Sequence, residues 1–299
     1  MINLYQSPGR LGNKLWTLAN VLAFSMEHDV ELIHSDMNEL VRMELVRRAN
    51  RRIRRVGAFA TAWLRAARKL RIHASLSLRD GEYVNLDGSS ELTAHLGERR
   101  SLHVGGFYLA APASLAKHQQ DVINELRFDE EIMKSAFRIK GESIRKDRHN
   151  VAIHMRRGDY RNFLGGMMYY TDDVYIQVAD LVRASTTRQV RFHLFSDEEI
   201  SSENFGNFEI VAHRGNVPEL DIAIMASCDA IFGPNSTFSQ WASFIGSVPI
   251  LVLEPHLVQR LDDLEGIGGT DFSIFTPQRF GEKSSVRIAA SRAMVPAIL

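Results

Sequence analysis

The chain has 299 residues, of which 45% are hydrophobic, and its 36 basic residues balance its 36 acidic residues. A chain of this length can bury one large core or, more usually, two cores in two domains. The zero net charge excludes a global positive field that would draw the protein to nucleic acid.

The first elements in chain order predict the start of an α/β domain. Residues 2–5 predict a short strand, and residues 11–26 predict a helix that follows a turn at 7–10. The free N–H groups at such a helix start attract negative charge, which makes the loop at 9–13 a candidate anion site. Residues 31–34 predict the next strand.

Residues 41–72 have apolar residues mostly three or four positions apart, which predicts an amphipathic helix. Its polar side is basic, and three interpretations stay open. It can be a solvated face whose apolar side packs on the first domain, a face that rests on an anionic membrane at about 1 kcal/mol per basic residue, or a nucleic-acid contact. A lipid-linked acceptor would suit the second, and no nucleic-acid partner is expected. The basic residues are Arg42, Arg47, Arg48, Arg51, Arg52, Arg54, Arg55, Arg65, Arg68, Lys69 and Arg71.

The second half alternates strands and helices, which predicts a parallel sheet in a Rossmann-like nucleotide-binding domain. We expect a hinge in the charged segment 142–150, between an acceptor-side domain at 1–146 and a nucleotide-binding domain at 147–299. Strands are predicted at 151–154, 190–195, 208–211, 230–232 and 248–252. Helices are predicted at 171–186, at 218–227 and from 237 onward.

Cysteine usage and hydropathy indicate the compartment. The single cysteine, Cys228, cannot form an internal disulfide, which suits a reducing environment. No secretory signal is visible at the N-terminus, and no apolar run approaches the ~18 residues that span a bilayer. We therefore expect a cytoplasmic protein, with peripheral contact to the inner membrane face if the basic segment binds lipid.

The strand at 151–154 ends in a cluster of charged side chains. In open α/β sheets, ligands bind just outside the carboxyl ends of the strands, where His154, Arg156 and Arg157 follow this strand. A guanidinium binds phosphate through two charge-assisted hydrogen bonds. Gly158 allows a sharp turn, which leaves Asp159 to orient an arginine or to accept a proton. A surface ion pair between Arg157 and Asp159 is the alternative.

Three segments of the chain resemble one enzyme family. Residues 154–160 are similar to the His-x-Arg-Arg-Gly-Asp-Tyr motif of family 11 glycosyltransferases, the alpha-1,2-fucosyltransferases, and share the His-x-Arg core of alpha-1,6- and protein O-fucosyltransferases. Residues 9–15 resemble the family's Gly-x-Leu-Gly-Asn-Gln segment. Residues 221–241 resemble its Asp-Leu-x-Leu-Met-Ser-x-Cys and Asn-Ser-Ser-Phe-Ser-Trp-Trp elements. The resemblance covers mainly residues 5–30 and 150–250.

This resemblance implies a GT-B-like α/β fold, with two Rossmann-like domains and the active site in the cleft between them. It implies an inverting transfer of fucose from GDP-fucose to a sugar hydroxyl of a glycan acceptor, most simply O2 of a galactose. Arg156 would bind the β-phosphate of the donor. Asp159 is the second catalytic candidate because it follows the arginine cluster, and not because of the resemblance. The donor site would also include His154, Arg157, Asp197, Asp221, Asn235, Ser236, Thr237, Phe238, Gly12 and Asn13.

Several of these residues have a separate role under the resemblance and a plain structural alternative. His154 would bond the ribose or base, or it only ends a strand. Asp221 would accept hydrogen bonds from guanine, or it only places charge in the first turn of a helix. Ser236 and Thr237 would help bind the phosphates, or they only cap a helix. Asp197, from a segment that resembles the family's Ser-Asp-Asp, is a secondary candidate.

Other aspects of the chemistry stay open. The base could be Asp159, Asp36 or His34. We expect no cofactor and no metal, because the Asp-x-Asp signature that chelates a cation under a nucleotide sugar is absent. Lys14 replaces the family's glutamine, and 240–242 reads Gln-Trp-Ala instead of Trp-Trp-Gly, which affects acceptor choice and linkage. The alternatives are a noncatalytic nucleotide-binding regulator and a transferase that uses another nucleotide sugar or forms another linkage.

Overall fold

The computed structural model describes residues 1–6, 9–34, 40, 43, 53–55, 62–64, 66, 74–77, 83–97, 102–106 and 108–258. These residues form two compact units, the first reaching Glu130 and the second beginning at Glu131. The segment 142–150, where we expected the hinge, lies inside the second unit, where it holds a helix end and a strand start. Each unit is described by itself.

The first unit contains a five-stranded parallel sheet of order β3-β2-β1-β6-β4. The strands of the unit are β1 (Ile2–Gln6), β2 (Leu32–His34), β3 (Ile53–Arg55), β4 (Ala74–Ser77), β5 (Tyr83–Asn85), β6 (Leu102–Gly105) and β7 (Tyr108–Ala110), and β5 pairs with β7. Its helices are α1 (Leu11–Glu27), α2 (Ser90–Gly97), α3 (Pro112–Lys117) and α4 (Gln119–Glu125).

Helix α1 organises the core of the first unit. It directly follows β1, as predicted, and packs against α3 and β7. Leu15, Leu18 and Leu22 are fully buried. Burial of each such side chain stabilises the fold by about 1.5–3 kcal/mol.

The amphipathic helix predicted over residues 41–72 is wrong at Ile53–Arg55, which form the edge strand β3 beside β2. Ile53 is only 2% exposed, and a β-branched residue suits a strand as well as it suits the spacing of an amphipathic helix. Trp63, which the periodicity placed on the buried side, is 54% exposed. Most of the basic segment lies outside the described residues.

The second unit contains a parallel sheet of order β10-β9-β8-β11-β12. All five strands predicted here are present, with ends shifted by at most two residues: β8 (His149–Met155), β9 (Val190–Ser196), β10 (Glu209–His213), β11 (Ala230–Pro234) and β12 (Ile250–Leu253). The helices are α5 (Glu130–Ser143), α6 (Asp172–Ala184), α7 (Pro218–Met225), α8 (Thr237–Gly246) and α9 (Pro255–Val258). Among the described residues, no helix has the length and hydropathy that a membrane span requires.

The strand order of the second unit reverses direction between β8 and β11. The chain runs outward from β8 to β9 and β10, then returns to the other side of β8 with β11 and continues to β12. Ile153 lies opposite Phe232 across this junction. Gly233 allows the two strands to approach closely, because a Cβ atom there would collide with the carbonyl oxygen of His154. Two neighbouring loops therefore diverge here, and the crevice they leave is where doubly wound folds bind ligands.

Candidate active site

The charged cluster predicted from the sequence lies at this reversal point. Arg156 follows β8, and the start of α8 follows β11. Tyr160 joins the two sides: its hydroxyl donates to the carbonyl oxygen of Asn235 at 2.8 Å, its side chain is hydrogen-bonded to Ser236, and the guanidinium carbon of Arg156 lies 5.7 Å from its ring centre. The structure thus brings residues from two of the three family-like segments into one site.

Two carboxylates hold Arg156. Its Nη2 lies 2.7 Å from Oδ1 of Asp159, and its Nη1 lies 2.8 Å from Oδ2 of Asp197. The Arg156 side chain is 16% exposed, while that of Asp159 is 45% exposed. Since a guanidinium carries five N–H donors in a rigid fork, Arg156 can bind an anion through donors that the two carboxylates leave unused.

Arg157 has a different partner from the one expected. It pairs with Asp172, in the first turn of α6, and not with Asp159. Its side chain is 12% exposed, and its Nε is buried with no hydrogen-bond partner. Asp172 also accepts a hydrogen bond from Asn204 at 2.6 Å. Asp172 occupies one arm of the Arg157 guanidinium. The role of Arg157 in donor binding therefore stays a prediction.

Asp197 connects the cluster. In addition to the ion pair with Arg156, its Oδ1 accepts backbone N–H groups from Arg157 at 2.8 Å and Gly158 at 3.3 Å. A Cβ atom on residue 158 would meet Oδ2 of Asp197 at 2.8 Å, so any larger residue there would have to displace this carboxylate. Asp197 therefore fixes the loop after β8. Its place in the cluster is central, although the sequence indicated only a secondary candidate.

His154 is buried beside the cluster, 4% exposed, with its ring centre 5.3 Å from that of Phe238. Burial and, to a smaller extent, the charge of Arg156 lower its pKa from 6.5 to about 4, although Asp197 opposes the shift. The ring is therefore neutral at pH 7, and its Nδ1 is buried without a hydrogen-bond partner. Buried polar atoms are nearly always hydrogen-bonded in folded proteins, so this nitrogen is a candidate ligand contact.

The start of α8 is well ordered. Ser236 is the N-cap, and its Oγ accepts the N–H of Phe238 at 3.3 Å, so the plain capping role of Ser236 is real. Asn235 is held by Glu254 at 3.2 Å and by Gln240 at 2.8 Å. Gln240, which departs from the family motif, therefore orients a predicted site residue. Thr237 opens the helix, and helix N-termini attract anions because their first backbone N–H groups lack partners within the helix.

Asp221 lies apart from the arginines, in the first turn of α7. Burial raises the pKa of its carboxyl group to about 6, although a hydrogen bond from Asn216 at 2.9 Å opposes the shift. No contact of Asp221 with the arginine cluster occurs among the described residues. A groove of about 390 Å³ opens at the carboxyl ends of β9 and β10, lined by Asp197, His213 and Gly215 among others.

The remaining sequence candidates lie in the first unit. Gly12 is buried and Asn13 is half-buried in the first turn of α1, whose N-cap, Arg10, makes no side-chain capping bond. His34, a candidate base, is 1% exposed at the end of β2. Asp36, another candidate base, lies outside the described residues.

A model of the glycosyl transferase family 11 sequences matches residues 3–250. The chain belongs to glycosyl transferase family 11. The family resemblance of the three sequence segments is thereby confirmed. No curated protein matches the chain.

Solved structures confirm the GT-B-like fold. POFUT1 in complex with GDP-fucose matches with a TM-score of 0.54 and 14% identity, over 82% of this chain and 93% of that one. The alpha-1,6-fucosyltransferase NodZ, soaked with GDP-fucose, matches with 0.51 and 14%, over 84% and 94%. A variant of Arabidopsis thaliana FUT1 in complex with GDP matches with 0.56 and 12%, over 84% and 70%. At these identities the likeness of this family 11 glycosyltransferase to each of them is one of fold.

The sheet of this family 11 glycosyltransferase also contains a histidine pair, one ring buried and the other half-buried, that sequence reasoning missed. Nδ1 of His193, on β9, lies 3.0 Å from Nε2 of His213, on β10, and Phe195 stacks on His213 at 4.5 Å. Burial lowers the pKa of His193 to about 3 and that of His213 to about 4. Which residues of two parallel strands are neighbours depends on the strand register, and the sequence does not reveal the register. The sequence therefore carried no signal for this pair.

Stability should therefore fall as the pH drops below 6.5. The unfolded chain takes up protons on these histidines near pH 6.5, while the folded chain does so only near their lowered pKa values, so acid favours unfolding. Asp221, whose pKa is raised, works in the opposite direction below pH 6. The free energy of unfolding should decrease between pH 7.5 and 5.5 by about 1.4 kcal/mol less in His213→Gln than in the wild type, measured by urea unfolding. The free energy of unfolding of the variant at pH 7.5 shows any packing defect by itself. A pH dependence equal to that of the wild type would contradict the conclusion that both histidines are neutral in the folded protein.

Proposed function

We propose that this family 11 glycosyltransferase is an inverting, metal-independent fucosyltransferase that transfers fucose from GDP-fucose to a sugar hydroxyl. The observation that carries the proposal is the arrangement around Arg156. A guanidinium positioned by two carboxylates, an unpartnered buried nitrogen of His154 and the start of α8 converge at the reversal point of a parallel sheet. This combination suits a nucleotide diphosphate.

The choice of GDP-fucose among nucleotide sugars is supported by the relatives. POFUT1 is in complex with GDP-fucose, NodZ was soaked with GDP-fucose, and the Arabidopsis protein is in complex with GDP. All three have the fold of this chain. The family motif around Arg156, shared with fucosyltransferases, points to the same donor.

We assign the donor contacts as follows. Arg156 binds the β-phosphate, and Ser236, Thr237 and Phe238 present the N–H groups and hydroxyls of the α8 start to the phosphates. His154 bonds the ribose or the base, and Asp221 accepts N–H groups of guanine. Asp197 and Arg157 shape the loop that carries Arg156, and Asn235 anchors it through Tyr160. We propose that Gly12 and Asn13, at the uncapped start of α1, also contribute to donor binding.

The chemistry follows from charge development. As the bond between the anomeric carbon and the diphosphate oxygen breaks, negative charge grows on the leaving group and the sugar gains oxocarbenium character. Arg156 stabilises that charge more strongly in the transition state than in the ground state. The acceptor oxygen bonds to the opposite face of the anomeric carbon, and its proton passes to solvent water. Because Asp159 already contacts Arg156, we propose that it orients the guanidinium rather than acting as the base.

The acceptor and linkage are proposed from the family motif: O2 of a galactose in a surface glycan or oligosaccharide. NodZ is an alpha-1,6-fucosyltransferase, so the shared fold alone does not select this linkage. The deciding experiment measures nucleoside diphosphate release from a panel of nucleotide sugars, with and without simple β-galactosides, followed by assignment of the product linkage by NMR. Donor binding without turnover would favour the alternative, a noncatalytic nucleotide-binding regulator.

Transfer should persist in excess EDTA. The sequence lacks an Asp-x-Asp signature, and we assign neutralisation of the diphosphate to Arg156 and the start of α8. Initial rates with and without EDTA provide the measurement, and rates after addition of Mn²⁺ provide the control. Loss of activity on chelation with recovery in Mn²⁺ would overturn the proposed metal independence.

The membrane and compartment proposals rest on sequence alone. We propose a cytoplasmic enzyme whose basic segment, residues 42–71, contacts an anionic membrane surface and so approaches a lipid-linked acceptor. Most of this segment lies outside the described residues, and no nucleic-acid partner is proposed.

A further inference from the structure

A well-anchored loop follows the arginine cluster. It contains two short 3-10 turns, Asp159–Arg161 and Phe163–Gly166. At one end, Tyr160 donates to the carbonyl of Asn235, which follows β11. At the other end, the hydroxyl of Tyr170, 5% exposed, donates at 2.8 Å to the carbonyl of Leu253 at the end of β12. The loop, which we call the 159–170 loop, is therefore fixed over the carboxyl ends of two strands.

This loop exposes apolar surface that the donor contacts do not use. Phe163 is 40% exposed and Met167 is 47% exposed. The ring of Phe163 stacks on Tyr160, with centres 5.4 Å apart and planes 24° apart. Tyr160 in turn contacts the guanidinium of Arg156. One aromatic side chain thus links the exposed ring to the group that binds the leaving diphosphate.

The loop backbone is held in an unfavourable conformation. Leu164, Gly165 and Gly166 have φ angles of 52°, 67° and 81°. A left-handed leucine costs on the order of 1–3 kcal/mol and persists only where surrounding contacts fix it, which occurs mostly at functional sites. An ion pair of Arg161 with Glu198 and the packing of Arg161 on the ring of Tyr169 supply further contacts. The exposed position of Phe163 is therefore stabilised by a strained loop.

We propose that Phe163, assisted by Met167, is the platform on which the acceptor sugar packs. This inference rests on the proposed function and names a further part of the same site. The acceptor hydroxyl must reach the anomeric carbon, which the donor phosphates hold close to Arg156. Pyranose rings present a face of C–H groups with a polar rim, and the negative face of an aromatic ring attracts such C–H groups. The surface of Phe163 that Tyr160 leaves uncovered provides that aromatic face.

Kinetics of Phe163→Ala test the proposal. The acceptor is lactose, or the first sugar of a panel of β-galactosides and N-acetylglucosaminides that the wild type uses. We expect the acceptor KM to rise about tenfold, the upper range for one aromatic contact. The KM for GDP-fucose and its slow hydrolysis without acceptor should stay unchanged. Phe163→Trp should retain most of the acceptor affinity, and Met167→Ala should give a smaller loss in the same direction.

Phe137→Ala is the matched control, because Phe137 is a 79% exposed phenylalanine on α5, away from this loop. An unchanged acceptor KM in Phe163→Ala, or an equal rise in both variants, would overturn the platform. Loss of binding to anionic vesicles with an unchanged acceptor KM would also overturn it, because Phe163 would then be a lipid contact. A wild type that binds GDP but transfers to no sugar would overturn the proposed function itself, and the platform with it.

Discussion

Replacing Arg156 by alanine should lower the transfer rate by about 100-fold or more while the protein stays folded. The guanidinium lies where the diphosphate charge would grow, and its loss removes a transition-state contact. The fold should tolerate the change, because Asp197 keeps its two backbone N–H donors and Asp159 is half-exposed. Initial rates at saturating donor, with a urea unfolding curve for each protein, give the measurement.

Arg156→Lys should recover little of this activity, because an ammonium is a point charge and cannot form two parallel bonds in the geometry of the fork. Arg183→Ala is the matched control. Arg183 is also paired with an aspartate and packed on an aromatic ring, but it is 51% exposed on α6. Near-wild-type turnover of Arg156→Ala would show that the cluster is a structural ion-pair network, and the proposed active site would have to be abandoned.

Asp159→Asn separates two roles of the exposed carboxylate. If Asp159 orients Arg156, as proposed, GDP affinity and turnover should change together in this variant. If Asp159 is the base, GDP affinity should survive while turnover collapses. Calorimetric titration with GDP, beside rate measurements on the same preparation, distinguishes these outcomes.

GDP and GDP-fucose should stabilise the protein far more than UDP or UDP-sugars do. At a ligand concentration one hundred times its dissociation constant, the gain is about 2.7 kcal/mol. In the proposed donor site, one carboxylate, Asp221, would accept both N1–H and N2–H₂ of guanine, whereas uracil offers a single N–H. Thermal unfolding at matched nucleotide concentrations is the measurement, and equal shifts with UDP would remove the fucosyltransferase assignment.

The preference should also depend on pH. Because the pKa of Asp221 is raised to about 6, its carboxyl group becomes protonated below that pH and loses its capacity to accept two donors. The difference between GDP and UDP should shrink as the pH falls through 6, and Asp221→Asn should reduce it at pH 7.5. Asp180→Asn, on the exposed face of α6, serves as the control.

The sequence predicted the second unit well because its strands are short apolar runs separated by clear helix starts, such as the proline that opens α7. It predicted that His154, Arg156 and Asp159 lie at a strand end. It did not predict which acid holds which arginine, since the pairing of Arg157 with Asp172 depends on where α6 begins relative to β8. The role of Gln240 was hidden for the same reason, because its bond to Asn235 follows from the turn that opens α8.

The pairing of β8 with β11 affects how the protein folds. The loops that follow these strands are far apart in the sequence, and the elements that lie between them in the chain include β9, β10 and α7. A growing chain that ends before α8 holds Arg156 but no partner surface for a diphosphate. Nucleotide therefore has little to bind until β8 and β11 pair. We expect this pairing to form late in folding, because closing a long loop is slow. If the proposed donor site is correct, bound nucleotide should slow the unfolding of the folded protein and leave its folding rate unchanged.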